Sequence, residues 1–198
     1  MNPCHVTKAE LRRGLLAVRA GLTEDDVSET GPVLARRALE LPELASARTV
    51  AAYVSVGREP GTRALLDALR TRGVRVLLPV LLEDNDLDWA GYEGADRLVK
   101  AGRGLLEPDG RRLGPDAVAE ADAVLLPGLA VDGRGMRLGR GGGSYDRVLA
   151  RLEKAGTDPA LVVLLYDGEL LGEVPAEAHD RPVHAAVTPS ALHRFSRG

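Results

Sequence analysis

The stretch MRLGRGGGSYDR, Met136 to Arg147, carries the densest chemistry in the chain. Six of the eleven residues from Gly133 to Gly143 are glycine, and Arg137 and Arg140 stand among them. Glycine loses more backbone freedom on folding than any other residue, so such a run needs a reason. Amides bare of side chains can surround phosphate oxygens, and a following helix N-terminus adds its positive dipole end. The two arginines can add charge-assisted, bidentate hydrogen bonds to the same oxygens. A flexible loop is the alternative; the strand expected before the run, the helix expected after it and the interleaved arginines favour a phosphate cradle. Two standard motifs do not apply. A Walker A loop needs a lysine, and none lies between Lys100 and Lys154; the dinucleotide fingerprint needs glycine where GRGGGS has Ser144.

The elements around this loop follow from hydrophobic periodicity. Thr7 and Glu10 match a capping box for a helix starting near Lys8, with Leu11, Leu15, Val18 and Leu22 as its buried face. A second helix follows Thr23 and is expected to break or restart at Gly31-Pro32. RTVAAYVSV (Arg48 to Val56) and VRVLLPV (Val74 to Val80) read as buried strands, joined by a helix that Thr62 caps and Gly73 ends. LDWAGY (Leu87 to Tyr92) reads as a short strand and GRGLLEPDGRRLGP as loop. ADAVLLPGLAVD gives a buried strand ending near Pro127-Gly128. A helix from about Asp146 buries Val148, Leu149 and Leu152 and stops at Gly156. ALVVLLY is a further buried strand and VHAAVT (Val183 to Thr188) the last. Such alternation predicts an α/β fold, a three-layer α/β/α sandwich with a mainly parallel, Rossmann-like sheet. Ligands on these sheets lie beyond the carboxyl ends of the strands, where the glycine run falls.

Composition narrows the function classes. A net charge of −3 argues against general nucleic-acid binding. The longest apolar stretch, Ala160 to Tyr166, is too short to span a bilayer, and MNPCHVTK does not read as a signal peptide. The single cysteine, Cys4, fits a reducing cytoplasm. His5, His179, His184 and His193 show no metal-ligand spacing, and Trp89 and Tyr92 read as core aromatics rather than ring-stacking platforms. The expectation is one domain over residues 1–198, monomeric and cytoplasmic, acting on small molecules without nucleic acid or membrane.

PGLAVDGRGMRLGRGGGSYDR (Pro127 to Arg147) resembles the hallmark segment of the 5-formyltetrahydrofolate cyclo-ligase family. KAELR at Lys8, the loop with Ser55 and Glu59, GLLEP at Gly104 and HDRPV at His179 extend the resemblance over nearly the whole chain. It implies conversion of 5-formyltetrahydrofolate into 5,10-methenyltetrahydrofolate with ATP and Mg²⁺, releasing ADP and phosphate through a phosphorylated formyl group (an iminophosphate). It implies that Lys8 and Arg12, one turn apart on a helix, reach the ATP phosphates. Arg137, Leu138, Gly139, Arg140, Gly141, Gly142, Gly143, Ser144 and Tyr145 form the nucleotide loop on the same basis. Arg140, Lys8 and Tyr145 are then the catalytic set, with Arg140 on the transferring phosphate. Val56 and Glu59 would contact the folate, and Asp146 and Asp180 the metal. As plain sequence Asp146 could equally cap its helix. Two positions depart from the family pattern: Ser144 replaces a frequent aromatic, and His184 a usual acid. A non-catalytic nucleotide- or folate-binding module of the same fold is the competing reading.

Overall fold

The computed structural model describes residues 6–196, so Cys4 and His5 lie outside the described residues. Helix α1 (Lys8–Ala20) begins at the expected capping box: Glu10 N–H donates to Thr7 Oγ1, and Thr7 N–H to Glu10 Oε2. Helix α2 (Glu24–Ala38) has the same device at Thr23 and Asp26. It runs through Pro32 without the expected break. The ring faces solvent, while Leu34, Ala35 and Ala38 are buried on the other side, so tertiary packing outweighs the lost backbone bond. Gly31 serves the same packing, because a Cβ built on the facing Gly61 would stand 3.3 Å from its Cα.

A short helix α3 (Pro42–Ala45) leads into strand β1 (Thr49–Ala51); helix α4 (Arg63–Thr71) crosses to β2 (Arg75–Leu81), which pairs with β1 in parallel. Strand β3 (Leu87–Gly91) returns antiparallel to β2. The segment expected as loop contains strand β5 (Leu106–Pro108), which pairs antiparallel with β4 (Leu98–Lys100) just ahead of it. A two-residue-period signal cannot show in three-residue strands, which is why periodicity missed it. Strand β6 (Ala123–Leu126) ends at Pro127 as expected, but the chain then enters a separate small sheet: β7 (Ala130–Asp132), β8 (Arg137–Leu138) and, later, β10 (Leu170–Leu171). Helix α5 (Ser144–Ala155) ends at Gly156 in the left-handed region (φ 67°) and feeds β9 (Ala160–Leu164). Strand β11 (Ala185–Val187) is not the last, since β12 (Leu192–Arg194) pairs antiparallel at its edge.

Among the described residues the main sheet has seven strands in the order β12-β11-β9-β6-β1-β2-β3, parallel except at its two edges. Alternate residues separate the two cores. Val50, Val76, Leu78, Leu125 and Leu164 pack toward α2 and α4. Ala51, Leu77, Val124, Leu126 and Val163 pack toward α5, where Trp89 is also fully buried. This is the three-layer sandwich expected. Helix α1 lies apart from both, with Leu11 and Leu15 on Leu129, Leu138 and Val174 of a third cluster.

Leu11 and Leu15 face inward as the apolar spacing suggested, but Val18 does not. Val18 is 69% exposed, and its neighbour Arg19 is buried. Arg19 donates from Nε and Nη2 to the two carboxylate oxygens of Glu169, at 2.6 and 2.9 Å, and from Nη2 to the Gly128 carbonyl at 2.7 Å. Its guanidinium also lies 5.7 Å from the Tyr166 ring centroid. Burial works against the charge, but Glu169 outweighs it and raises the Arg19 pKa. This pair is the pin that sets α1 across the end of the sheet. Removing one member leaves a buried charge without a partner, so Arg19→Met should cost roughly 3–5 kcal/mol in urea unfolding. Adding Glu169→Leu should recover much of that loss, because no lone buried charge remains; a double variant no better than the single would count against the pin.

Candidate active site

The carboxyl ends of β1, β2 and β6, the glycine loop, α1 and residues 177–181 enclose a cleft of about 1060 Å³. All the residues expected at the site line it: Lys8, Arg12, Val56, Glu59, Arg137 through Asp146, and Asp180. Trp89 and Tyr92 do not, and both are buried in the core as expected.

The glycines have a visible purpose. Arg12 Nε donates to the Gly139 carbonyl at 2.8 Å, and a Cβ on Gly141 would stand 3.2 Å from the Arg12 guanidinium carbon. Gly141 also sits at φ +91°, which other residues avoid. A Cβ on Gly139 would approach Arg137 Nη1 to 2.8 Å. The loop is therefore bare so that two guanidinium groups can lie against its backbone. Helix α5 starts at Gly143, also left-handed (φ 79°), with no side-chain cap. Its first amides stay available to an anion. Asp146 is consequently not a cap: it lies half-exposed in the first turn, 3.7 Å from Arg137 Nη2. Arg137 itself is buried and donates to the Pro127 carbonyl at 2.8 Å; burial pushes its pKa down.

Lys8 Nζ donates to Asp180 Oδ2 at 2.7 Å and lies 3.6 Å from Glu177. Burial disfavours the Asp180 carboxylate, but the Lys8 and Glu177 N–H hydrogen bonds outweigh it and lower the pKa. Glu59 is held at the far wall by a tight loop in which Val56 N–H donates to its Oε2 at 2.8 Å. Ser55 and Thr62 close that loop by exchanging backbone-to-hydroxyl bonds of 2.9 and 3.0 Å. Thr62 thus spends its hydroxyl on Ser55 and does not cap α4. The other Glu59 oxygen meets Arg140 Nε at 3.4 Å, so the loop expected for the nucleotide touches the residue expected for the folate. Tyr145 stands beside this pair; burial, then the Glu59 charge, push its pKa well up, so its hydroxyl stays a proton donor.

Sequence reasoning missed three residues. Arg19 shares a helical face with Lys8, Arg12 and Leu15, a spacing that apolar counting passes over. Tyr53 lines the cleft behind Glu59, and burial raises its pKa. Asp132 is buried and gathers the hairpin that launches the glycine loop: it accepts from the N–H groups of Arg134, Met136 and Val174 and from the Arg134 side chain. The departure at His184 lies elsewhere. It stands before β11 at the amino end of the sheet, where its Nδ1 accepts from Leu161 N–H at 2.7 Å.

Residues 5–189 match the profile of the 5-formyltetrahydrofolate cyclo-ligase family. The chain belongs to that family. A 5-formyltetrahydrofolate cyclo-ligase of Mycolicibacterium smegmatis is 42% identical over 188 residues, covering 92% of this chain and 94% of the relative. The Escherichia coli K12 cyclo-ligase is 35% identical, covering 88% and 96%. The solved 5,10-methenyltetrahydrofolate synthetase of Aquifex aeolicus superposes with a TM-score of 0.80 at 27% identity, covering 96% of this chain and 94% of that one. The chain is thus a member of a ligase family, and its cleft joins a cationic loop to a buried carboxylate.

Asp132 gives a pH prediction. Burial alone would raise its pKa, but the Val174 N–H, the Arg134 guanidinium and the turn amides lower it below the ordinary value. The unfolded chain therefore takes up this proton first as pH falls. The stabilisation is complete above the unfolded pKa and is lost as pH drops toward the folded one. Asp132→Asn should be less stable than wild type at pH 7, with a shallower decline below about pH 5. Urea midpoints across that range measure it; parallel curves would remove Asp132 from the acid response.

Proposed function

We propose that the protein converts 5-formyltetrahydrofolate and ATP into 5,10-methenyltetrahydrofolate, ADP and phosphate. The Arg140–Glu59 contact is the observation that carries this reading, because it puts a phosphate-binding loop beside an anionic acceptor suited to the amino-pyrimidine donors of a pterin. A formamide oxygen is a poor leaving group. Attack of that oxygen on the γ-phosphorus expels ADP and gives the iminophosphate. The second folate nitrogen then adds to the activated carbon, the ring closes, phosphate leaves and the nitrogen gives up its proton. The protein's part is alignment and charge stabilisation.

The roles follow from position. Lys8, Arg12 and Arg137 receive the phosphates together with the amides from Gly139 to Ser144. Arg140, exposed enough to turn from Glu59, meets the transferring phosphoryl group, and the Tyr145 hydroxyl donates beside it. Val56 and Glu59 hold the pterin. Among the described residues no three metal-ligating side chains converge. That donor set suits Mg²⁺, which binds through one or two carboxylates, substrate phosphates and water rather than an all-protein cage. Asp146 and Asp180, on either side of the loop, would hold it, and it would neutralise phosphate charge. No helix among the described residues is long and apolar enough to cross a membrane. We take the chain to act as a single catalytic domain over residues 1–198, a cytoplasmic monomer on small molecules.

Mixing the protein with 5-formyltetrahydrofolate, ATP and Mg²⁺ should produce the near-ultraviolet absorbance of the methenyl product, with ADP and phosphate in equal amounts. AMP and pyrophosphate would sink the phosphorylated-formyl route. Binding of both ligands without turnover would leave a non-catalytic binding module.

The two halves of the cleft should separate on mutation. Lys8→Ala removes a cation from the phosphates and should weaken ATP while sparing folate. Glu59→Gln turns charge-assisted hydrogen bonds into neutral ones, a loss of roughly tenfold or more in folate affinity. Calorimetric titration of each ligand into each variant decides between them. Weakened ATP with intact folate in Glu59→Gln would reverse the placement.

A further inference from the structure

Outside the glycines, two described residues have a backbone in the left-handed region, and they meet in the lining of the cleft. Asn85 (φ 65°) sits in the turn between β2 and β3; Arg103 (φ 60°) sits between Gly102 and Gly104 ahead of β5. Both line the cleft, and Arg103 Nη1 donates to Asn85 Oδ1 at 3.0 Å. A non-glycine residue in this region is uncommon, and arginine has no local hydrogen bond to favour it as asparagine does. Such conformations persist where the surroundings impose them, and they gather at ligand sites. The surroundings here are explicit. Asp86 pairs with Arg151 and Asp84 with Arg147, so the turn carrying Asn85 is tied on both flanks to α5.

The position along the sheet says what this pair faces. Strands β6, β1 and β2 are consecutive neighbours. The phosphate loop anchors at Pro127, just after β6; Glu59 follows β1; Asn85 follows β2. Neighbouring strands lie about 4.8 Å apart, so the three stations are spread over on the order of 10 Å. Pro79, Leu81, Leu87, Leu105 and Leu106 make the wall between Glu59 and Arg103 apolar. The reacting partners have the same linear order: γ-phosphate, formylated pterin, aminobenzoyl ring, glutamyl carboxylates.

We propose that Arg103, braced by Asn85, captures the glutamyl carboxylate of the folate substrate while the leucine and proline wall holds its aminobenzoyl ring. The proposal rests on the cyclo-ligase reading above. In the structure Arg103 spends one N–H on Asn85, leaving a fork edge for a carboxylate. Glu107, the acid nearest in sequence, is turned away to accept Leu81 N–H at 3.0 Å and fixes β2 against β5. Arg103 is therefore a specificity-determining residue, remote from the phosphoryl transfer.

The test compares 5-formyltetrahydrofolate with 5-formyltetrahydropteroate, which lacks the glutamyl group, in wild type, Arg103→Ala and Arg103→Lys. Arg103→Ala should raise KM for the glutamyl substrate roughly five- to tenfold, as befits an exposed charge pair, with kcat unchanged. It should leave the pteroate KM within about twofold, because a lost contact to an absent group costs nothing. Arg103→Lys should recover part of the loss, retaining charge without the fork. Equal effects on both substrates, or none on either, would overturn the proposal and leave the cyclo-ligase reading standing. Wild type turning over neither substrate would overturn both. Unchanged thermal unfolding of Arg103→Ala would exclude a folding defect as the source of a selective loss.

Discussion

Helix α1 has to lie across the carboxyl edge of the sheet with cations facing inward, and the architecture of the site follows from how those charges are met. Arg19, deepest, takes a buried carboxylate and a carbonyl. Arg12, one stretch outward, takes the Gly139 carbonyl. Lys8, at the rim, takes Asp180. An unpaired charge at any of these depths would be costly, and the cost rises with burial. The gradient explains why the innermost pair is closed on itself whereas the outer two remain available to a ligand. It also explains the bare loop, since side chains at 139 or 141 would push Arg12 and Arg137 away from the backbone they lie on.

The two ligand halves are coupled by one contact. Glu59 is clamped by Val56 N–H and by the Ser55–Thr62 exchange, whereas Arg140 is about half exposed on a glycine loop. The carboxylate is the buried, fixed member and the guanidinium the exposed one. In the proposed reaction a phosphoryl group entering the loop would compete with Glu59 for Arg140, and release of Glu59 would leave its oxygen for a pterin amino group. On that reading, filling either half would free a polar group wanted by the other, a favourable coupling that would need no movement of the sheet.

The fold was legible where burial imposes a period on the sequence. Capping boxes at Thr7 and Thr23, the β1-α4-β2 crossover and the stop at Gly156 follow from local chemistry that the tertiary structure does not override. Pro32, the β4–β5 pair and β12 were not legible, because a packed opposite face, three-residue strands and an edge position leave no periodic trace. At the site, glycines and arginines in register pointed to the loop that lines the cleft, and the family resemblance pointed to the other lining residues. Arg19 and Asp132 stayed hidden for a common reason. Each is a buried charge with at least one partner far along the chain, Glu169 for Arg19 and, beside its local turn amides, Val174 for Asp132, and one-dimensional spacing holds no record of such distant pairs.

The same pairs show why the departures at Ser144 and His184 are compatible with the site. Ser144 opens α5 and lines the cleft, so a small residue there leaves the cleft wider while the backbone amides of the first turn remain. His184 holds the amino ends of β9 and β11 together at the opposite edge of the sheet, where its ring accepts the Leu161 N–H that begins the ladder. Neither position contributes to the cations that line the cleft. Of those, Arg12 and Arg137 are set by backbone carbonyls beside the bare loop, Lys8 by Asp180 and Arg140 by Glu59. Variation at 144 and 184 therefore changes the shape of the cleft and the finish of the sheet, while the electrostatics of its cationic end stay as Lys8, Arg12, Arg137 and Arg140 define them.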